Sequence, residues 1–593
     1  MIGPDRMATR RRLVVALAVL AVMAGVWAIG IAVIGPVEWS LGGVRLRSRN
    51  PVRPIVLAAA FALAAALLDG TAARASALHA WSRFLAVRLP RLPAVSPASM
   101  AAVLAVAVAV AGSWWGPRTV GAADSYGYVS EARAWRDGLP RIDLPMAREL
   151  PWSNATGTLA PLGWTASGEP GVAVPVYAPG FPLTLAAASA IGGEGAIFAV
   201  VPVLAGLAVW LAFCLGRLLA GDAVGLATAA LLAASPALLF LLLASGPMSD
   251  IPALAWWLGA VVGAATPARG RIALVASGLS TALAVLTRPN LVVLAPLVGA
   301  LAAWPAPTAR QAVGRMSLWT ISMLPGPLVT AAINSALYGS PLQSGYGDLS
   351  VFYALNNVVP NASRYGAWLM STQTPLIVAG LAAPLVLWRA GSRRAAVAAL
   401  WCLAFSAAVV GPYLFYLVFD EWWWALRFVL PAYPMLLATA AAAVATALRP
   451  FGRWRQAVLI PLVAGVCWHG VTYLPVSTLR AWGDDWLRYR EASDYARQLP
   501  PGAVVVAQLH SGPLRYYAGV PALRWDLLDA DWLDRAVAHL AAAGHPVYAV
   551  LEPVEMDLIK ARFRATSSLS WAETPVSVTA HGTQIYRLSA PAP

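Results

Sequence analysis

The strongest constraint on this chain is a succession of apolar runs, each close to the roughly 20 residues that a helix needs to cross a bilayer. Hydrophobic residues make up 59% of the 593 residues and charged residues only 12%, whereas a soluble protein carries roughly 25% charged residues. A soluble core cannot absorb this much apolar surface, so the bilayer must act as solvent. The sequence therefore predicts a polytopic α-helical membrane protein.

We predict about 13 transmembrane helices from these runs. They cover 13–34, 55–72, 98–115, 195–216, 223–244, 249–266, 271–287, 290–304, 317–337, 368–388, 395–419, 428–448 and 457–476. The first run is longer than the apolar core of a signal peptide, so we interpret it as a retained span. The stretch 181–193 is too short for a confident span and is interpreted as re-entrant or interfacial.

The placement of arginine predicts the orientation of these spans. Loops on one side carry most of the arginines, and the positive-inside rule places that side in the cytoplasm. The N-terminus is then cytoplasmic and the C-terminal region extracytoplasmic. The arginines between Arg45 and Arg53 are an exception, since they fall in an outer loop. Because the net charge of +15 is concentrated in short loops, no nucleic-acid partner is expected.

Four regions follow from this topology. They are N-terminal transmembrane helices (1–115), a first large outer loop (116–180), a transmembrane core (181–478) and an extracytoplasmic domain (479–593). The last region has the pattern of a small α/β domain. Its predicted elements are strand 503–508, helix 532–543, strand 547–551 and strand 585–588. The segment 510–517 is loop-like, and it either contacts an acceptor or is merely structural; a lone loop histidine such as His510 is more often solvated.

Asp124 lies where the chain leaves the third predicted span, with Tyr126 and Tyr128 beside it. A carboxylate at this place suits a general base for an acceptor hydroxyl or a metal ligand. The alternative is an N-cap of the helical pattern that follows, a role for which aspartate is well suited.

Two further outer connections carry charge. Asp250 lies in the first, where it also fits a helix cap, and Arg288 lies in the second. An arginine on the outer face either binds an anion such as a lipid phosphate or extends to the headgroups. Tyr177 belongs to a rigid turn of two prolines and a glycine that closes the 116–180 loop.

The remaining candidates lie in later outer loops. Tyr346 and Asp348 suit a loop that contacts a ligand, and Trp422 belongs to three tryptophans that form an aromatic belt or stack on sugar or lipid. The acids and arginines on the outer face are Asp124, Asp250, Arg288, Asp348, Arg364, Glu421 and Arg427. Such a set at one membrane surface suits a reaction with a lipid phosphate as donor.

The order of these motifs resembles the GT-C glycosyltransferases, in particular the dolichyl-phosphate-mannose–protein mannosyltransferases and the bacterial aminoarabinose transferases. The resembling segments are ADSYGYVSEA (123–132), YAPGFPLTLA (177–186), SPALLFLLLASGPMSDIPAL (235–254), LTRPN (286–290), NSALYGSPLQSGYG (334–347) and RFVLPAYP (427–434).

The resemblance implies a sugar donor carried on a polyprenyl phosphate and an acceptor bound at the outer surface. It implies that Asp124 is the base, that Arg288, Arg364 or Arg427 binds the donor phosphate, and that a single displacement inverts the anomeric carbon. Sugar, lipid or acceptor contacts are expected from Tyr126, Tyr177, Asp250, Tyr346, Asp348, Glu421 and Trp422. Many relatives have a second acid next to the first, but Ser125 follows Asp124 here. We therefore assign no metal ligands, although a divalent cation is possible.

Two other functions are compatible with the sequence. One is a transporter or flippase of lipid-linked sugars, although such proteins usually need ionisable residues near the middle of the bilayer. The other is a non-catalytic membrane scaffold. The sequence identifies neither the sugar nor the acceptor, which is a protein, a lipid or a cell-envelope glycan.

Overall fold

The structure is a computed structural model. It describes residues 96–588 apart from 139, 267–269, 305, 419–421, 568 and 570–571, and before residue 96 only isolated helical positions and one hairpin. The predicted spans 13–34 and 55–72 therefore lie largely outside the described residues. The hairpin pairs β1 (Val37–Leu41) antiparallel with β2 (Val44–Ser48), so Arg45 and Arg47 occupy a strand where a loop was expected.

Helices form most of the remaining structure. In chain order they are α1 (Pro97–Trp115), α2 (Asp124–Asp137), α3 (Ala155–Leu159), α4 (Gly180–Gly192), α5 (Ile197–Ala220), α6 (Asp222–Ala233), α7 (Pro236–Leu243), α8 (Asp250–Ala265), α9 (Gly270–Thr287), α10 (Ala295–Ala303), α11 (Ala309–Met323), α12 (Pro325–Tyr338), α13 (Val358–Gln373), α14 (Ala383–Arg389), α15 (Arg393–Phe415), α16 (Tyr433–Ala447), α17 (Arg455–Tyr473), α18 (Val476–Asp484), α19 (Leu487–Ala496), α20 (Leu533–Ala542) and α21 (Pro553–Phe563).

Several of these helices are membrane spans by length and composition. Among the described residues, seven helical stretches are long and apolar enough to cross a membrane, or up to nine if each of two bent pairs is one span. The chain is therefore a multi-pass membrane protein, as the sequence predicts. The total of about 13 spans stays a prediction, because α8 and other apolar helices are shorter than 18 residues.

Two predicted spans are bent, each at a short break in the helix that is followed by proline. The helices α6 and α7 meet at 49°, and the helical stretches on either side of Thr374 meet at 107°. Thr374 has a φ of 62° and is followed by the 3-10 segment Pro375–Ala382. Because proline disfavours helical backbone in the residue before it, the run 368–388 is not one straight helix. The run 181–193 is the 13-residue α4, which is short for a span.

Small residues let the membrane helices approach closely. An added Cβ at Gly216 in α5 would lie 2.8 Å from the carbonyl oxygen of Val224 in α6, and one at Gly225 would lie 2.6 Å from the carbonyl oxygen of Phe213. Close backbone contact of this kind is the usual packing device between helices in a membrane, where lipid is as apolar as a side chain.

Two sheets lie outside the helical part. In the 116–180 loop, β3 (Ile142–Asp143) and β4 (Trp164–Ala166) both pair antiparallel with β5 (Val172–Pro175). The C-terminal sheet has the order β7-β6-β8-β10-β9, with β7, β6 and β8 parallel and β10 antiparallel to β8. Its strands are β6 (Val504–Val506), β7 (Ala522–Leu523), β8 (Val547–Leu551), β9 (Ser577–Val578) and β10 (Gln584–Leu588). Each strand predicted in 479–593 and the helix α20 overlap an element of the structure, while the assignment of this region as a separate soluble domain stays a prediction.

Candidate active site

The candidate site lies at the ends of three helices and beside a 3-10 segment. Asp124 is the first residue of α2 and Asp250 the first of α8. Arg288 follows α9 directly, and Arg427 belongs to the 3-10 segment Trp423–Ala432 before α16. The fold brings these four side chains together although Asp124 and Arg427 are 303 residues apart.

The carboxylate of Asp124 is held on both oxygens. The Tyr177 hydroxyl donates to Oδ1 at 2.7 Å, and Arg427 Nη1 donates to Oδ2 at 3.0 Å. The N-cap of α2 is Ala123, and no side chain caps the helix. The cap interpretation of Asp124 therefore does not describe this structure. The side chain remains 26% exposed, so a ligand can reach it.

A second ion pair lies beside the first. Arg288 Nη2 donates to Asp250 Oδ1 at 2.6 Å, with the Asp250 side chain 1% exposed. Arg427 Nη1 is also 3.8 Å from Asp250 Oδ2, so one guanidinium contacts both carboxylates. Asp250 is the first residue of α8 rather than its cap, since the N-cap is Ser249 and no side chain caps the helix. The headgroup alternative for Arg288 stays a prediction.

The surroundings set the charge state of Asp124. Burial by itself would raise the pKa of this carboxyl, but the positive charge of Arg427 and the hydrogen bond from Tyr177 outweigh it, so the pKa lies below its ordinary value. Asp124 is therefore a carboxylate at neutral pH and accepts hydrogen bonds.

Both arginines retain buried donors without a partner among the described residues. These are Nη1 of Arg288 and Nε of Arg427. An unpaired buried donor costs free energy, on the order of 1–3 kcal/mol. Guanidinium groups bind phosphate oxygens well, so these donors are suited to an anionic ligand.

Aromatic rings line the neighbourhood of the ion pairs. The guanidinium carbon of Arg427 lies 4.5 Å from the centre of the Trp424 ring and 4.8 Å from that of Phe428. On the other side, the Tyr177 ring packs between Tyr128 and Tyr346, with centroids at 4.6 and 6.0 Å. The Tyr346 side chain is 45% exposed, although burial of its hydroxyl raises its pKa well above the ordinary value.

The other predicted residues lie elsewhere. Tyr126 is buried against the C-terminal domain, with its ring 6.5 Å from Tyr516. Asp348 is exposed and caps the turn at Ser350, which lowers the pKa of Asp348. Trp422 packs on Trp423 and Trp482.

Arg364, a predicted phosphate ligand, is not part of the two ion pairs. The Nη1 of Arg364 in α13 is 3.4 Å from Asn361 Oδ1, and neither ion pair of the site includes Arg364. Glu421 lies outside the described residues.

Sequence reasoning missed several side chains that complete the site. The Tyr128 hydroxyl is 2.9 Å from Ser249 Oγ, to which Arg288 Nε also donates at 3.3 Å. Asn290 donates to the Tyr413 hydroxyl at 2.9 Å. Tyr128, Ser249 and Asn290 belong to the quoted motifs, so position within a motif was the available signal for them. Tyr413 lies outside every motif.

The carboxylates do not fit a shared divalent cation as they are arranged. Arg427 Nη1 stands between Asp124 and Asp250, where such a cation would lie. Among the residues that the structure describes, no group of three histidine, cysteine or acidic side chains suits a metal ion. No catalytic step is therefore assigned to a metal.

Comparison with known proteins gives structural likenesses. No family model matches the sequence, and no curated protein matches it significantly. The chain is similar to ArnT from Cupriavidus metallidurans in the apo state, with a TM-score of 0.49, 13% identity, and coverage of 83% of this chain and 98% of ArnT. It is similar to the Archaeoglobus fulgidus oligosaccharyltransferase tethered with an acceptor peptide, with a TM-score of 0.48, 12% identity, and coverage of 83% and 74%.

A third likeness is to the arabinofuranosyltransferase AftD from Mycobacteria, with a TM-score of 0.46, 14% identity, and coverage of 84% of this chain and 40% of AftD. All three are GT-C glycosyltransferases, the group that the sequence motifs resemble. Because every TM-score is below 0.5 and every identity below 25%, these likenesses do not by themselves establish the activity of this chain.

Proposed function

We propose that this chain is a membrane glycosyltransferase that moves a sugar from a polyprenyl-phosphate donor to an acceptor at the extracytoplasmic face. The observation that carries the proposal is a pair of largely buried arginines, Arg288 and Arg427, each bound to a carboxylate and each with one donor atom that has no partner among the described residues. The unpaired guanidinium N–H groups of Arg288 and Arg427 can donate to the oxygens of an added phosphate.

The donor phosphate is expected to bind Arg288 and Arg427. When the bond between phosphate and anomeric carbon breaks, negative charge grows on the departing phosphate oxygen. Two guanidinium groups that are already held in place by Asp250 and Asp124 stabilise that charge without having to reorganise. The exposed ring of Tyr346, which packs on Tyr177 beside Asp124, suits lipid or sugar contact.

We assign Asp124 the role of general base for the acceptor hydroxyl. Its carboxylate accepts the hydrogen bond of the incoming hydroxyl and takes its proton as the oxygen attacks the anomeric carbon. A single displacement of this kind inverts the anomeric carbon.

Transfer by purified protein in lipid nanodiscs tests the proposal, with a panel of radiolabelled polyprenyl-phosphate sugars as donors. Release or transfer from one donor would establish the enzyme class and identify the sugar. Donor binding with no turnover of any donor would contradict the proposal and favour a transporter or a scaffold.

A further inference from the structure

Hydrogen bonds connect the C-terminal α/β domain to the loops around α2. The Tyr517 hydroxyl accepts a hydrogen bond from the Val120 backbone N–H at 2.8 Å. Ser511 Oγ accepts one from the Leu162 N–H at 3.1 Å. The Arg524 N–H donates to the Thr158 carbonyl at 2.7 Å. Separate segments of the 116–180 loop are thus attached to one domain.

The same domain packs directly on the helix that begins with Asp124. Tyr126, two residues further along α2, is 1% exposed and lies against Gly512. A Cβ added at Gly512 would lie 2.3 Å from Tyr126 Cδ1, a distance that requires the ring to move. One turn beyond Tyr128, the Arg133 guanidinium lies 3.8 Å from the centre of the Tyr516 ring.

The turn before α2 has a backbone conformation that needs support. Ala122 has a φ of 50°, which is costly for a residue with a side chain. The neighbouring Gly121 packs closely against Tyr489. A Cβ added at Gly121 would lie 2.1 Å from the Tyr489 ring. The hydrogen bond from Val120 to Tyr517 fixes the other side of this turn. The strained turn is thus held on both sides by residues of the C-terminal region.

We propose that the C-terminal domain positions Asp124 for transfer, with Tyr517 and Gly512 as the positioning residues. The proposal rests on the proposed function of Asp124. Tyr517 fixes the turn that leads into α2, and Gly512 permits the seating of Tyr126 that fixes the helix itself. Neither residue needs to contact a substrate.

This arrangement separates two steps of the reaction. Arg288 and Arg427, which are expected to bind the donor phosphate, both lie beside Asp250 of α8, a carboxylate that is not part of α2. Loosening the turn at Val120 therefore affects the position of the base more than the binding of the donor. Displacing a reacting group by about 1 Å costs on the order of a hundredfold in rate.

The test uses the full-length protein in nanodiscs with Tyr517→Phe, which removes only the acceptor of the Val120 N–H. We expect kcat to fall at least tenfold while the dissociation constant of the donor stays within twofold. Hydrogen exchange of the peptide covering residues 118–128 is expected to increase. The matched control is Tyr548→Phe, a buried tyrosine of β8 in the same domain, which should change none of these quantities.

A second variant tests the contact between Gly512 and Tyr126. Gly512→Ala should reduce kcat similarly, whereas Gly168→Ala, at a loop glycine with open space, should not. Unchanged kcat and unchanged exchange in Tyr517→Phe would overturn the proposal, as would a parallel loss of donor binding and thermal stability. If the unaltered protein transfers no sugar, the proposed function fails, and the exchange measurement still shows whether the domain fixes the turn.

Discussion

Arg427 Nη1 lies 3.0 Å from Asp124 Oδ2 and 3.8 Å from Asp250 Oδ2. One guanidinium thus occupies the space between two carboxylates that come from different helices. It neutralises part of their charge, orients Asp124, and leaves its own Nε without a partner among the described residues. The candidate site is therefore organised by an internal cation.

This arrangement predicts that transfer does not require a divalent metal. Because Arg427 takes the position between the carboxylates, chelation has no catalytic ion to remove. We expect the rate in excess EDTA to equal the rate in buffer without a chelator, within twofold. Loss of transfer in EDTA, with recovery on addition of Mn²⁺ or Mg²⁺, would contradict the role of Arg427.

The pH dependence of transfer should report the surroundings of Asp124. In the proposed mechanism the carboxylate is the active form, so the rate is expected to fall as pH drops through its pKa. Tyr177→Phe removes a hydrogen bond that favours the charged form, so the pKa of Asp124 rises and the acid limb of the profile moves to higher pH. The measurement is kcat/KM against pH.

The matched control for this shift is Tyr338→Phe. The Tyr338 hydroxyl donates to the carbonyl of Pro175 rather than to Asp124, so its removal should leave the acid limb in place. An acid limb that stays where it is in Tyr177→Phe would refute the assignment of that limb to Asp124.

The Arg288–Asp250 pair should matter for stability as well as for binding. The Asp250 side chain is 1% exposed, so Arg288→Gln leaves a buried charge without its main partner, at a cost of about 3–5 kcal/mol. The double change Arg288→Gln with Asp250→Asn removes the charge and should recover much of that loss. Thermal unfolding of the single and double variants in nanodiscs measures the effect.

An exposed pair provides the comparison. The side chains of Arg217 and Asp222 are 58% and 49% exposed, and surface ion pairs contribute about 1 kcal/mol or less. Arg217→Gln should therefore unfold close to the temperature of the unaltered protein. If Arg288→Gln does the same, the buried pair does not stabilise the fold.

The sequence was informative where the signal was local. Strand and helix patterns after residue 500 correspond to β6, α20, β8 and β10, and apolar runs correspond to helices. The bend at Thr374 was missed because the run 368–388 is apolar on both sides of it and hydropathy does not record backbone angles.

The sequence predicted which residues belong to the site but not how they pair with one another. Asp124, Asp250, Arg288 and Arg427 were chosen because they were expected at one face of the membrane, but their pairing depends on contacts over as many as 303 residues of chain. His510 was expected to be solvated and is instead fully buried, with Nε2 2.5 Å from Glu552 Oε1. No local pattern shows that the segment after it packs on α2.

The most direct measurement of the central claim compares single-turnover transfer by Asp124→Asn with that by Asp137→Asn, an exposed acid at the end of the same helix. A general base contributes roughly 10²–10⁴-fold to rate. We predict a loss of that size in Asp124→Asn with donor binding retained, and an unchanged rate in Asp137→Asn. Transfer by Asp124→Asn at the rate of the unaltered protein would contradict the assignment of Asp124 as the base.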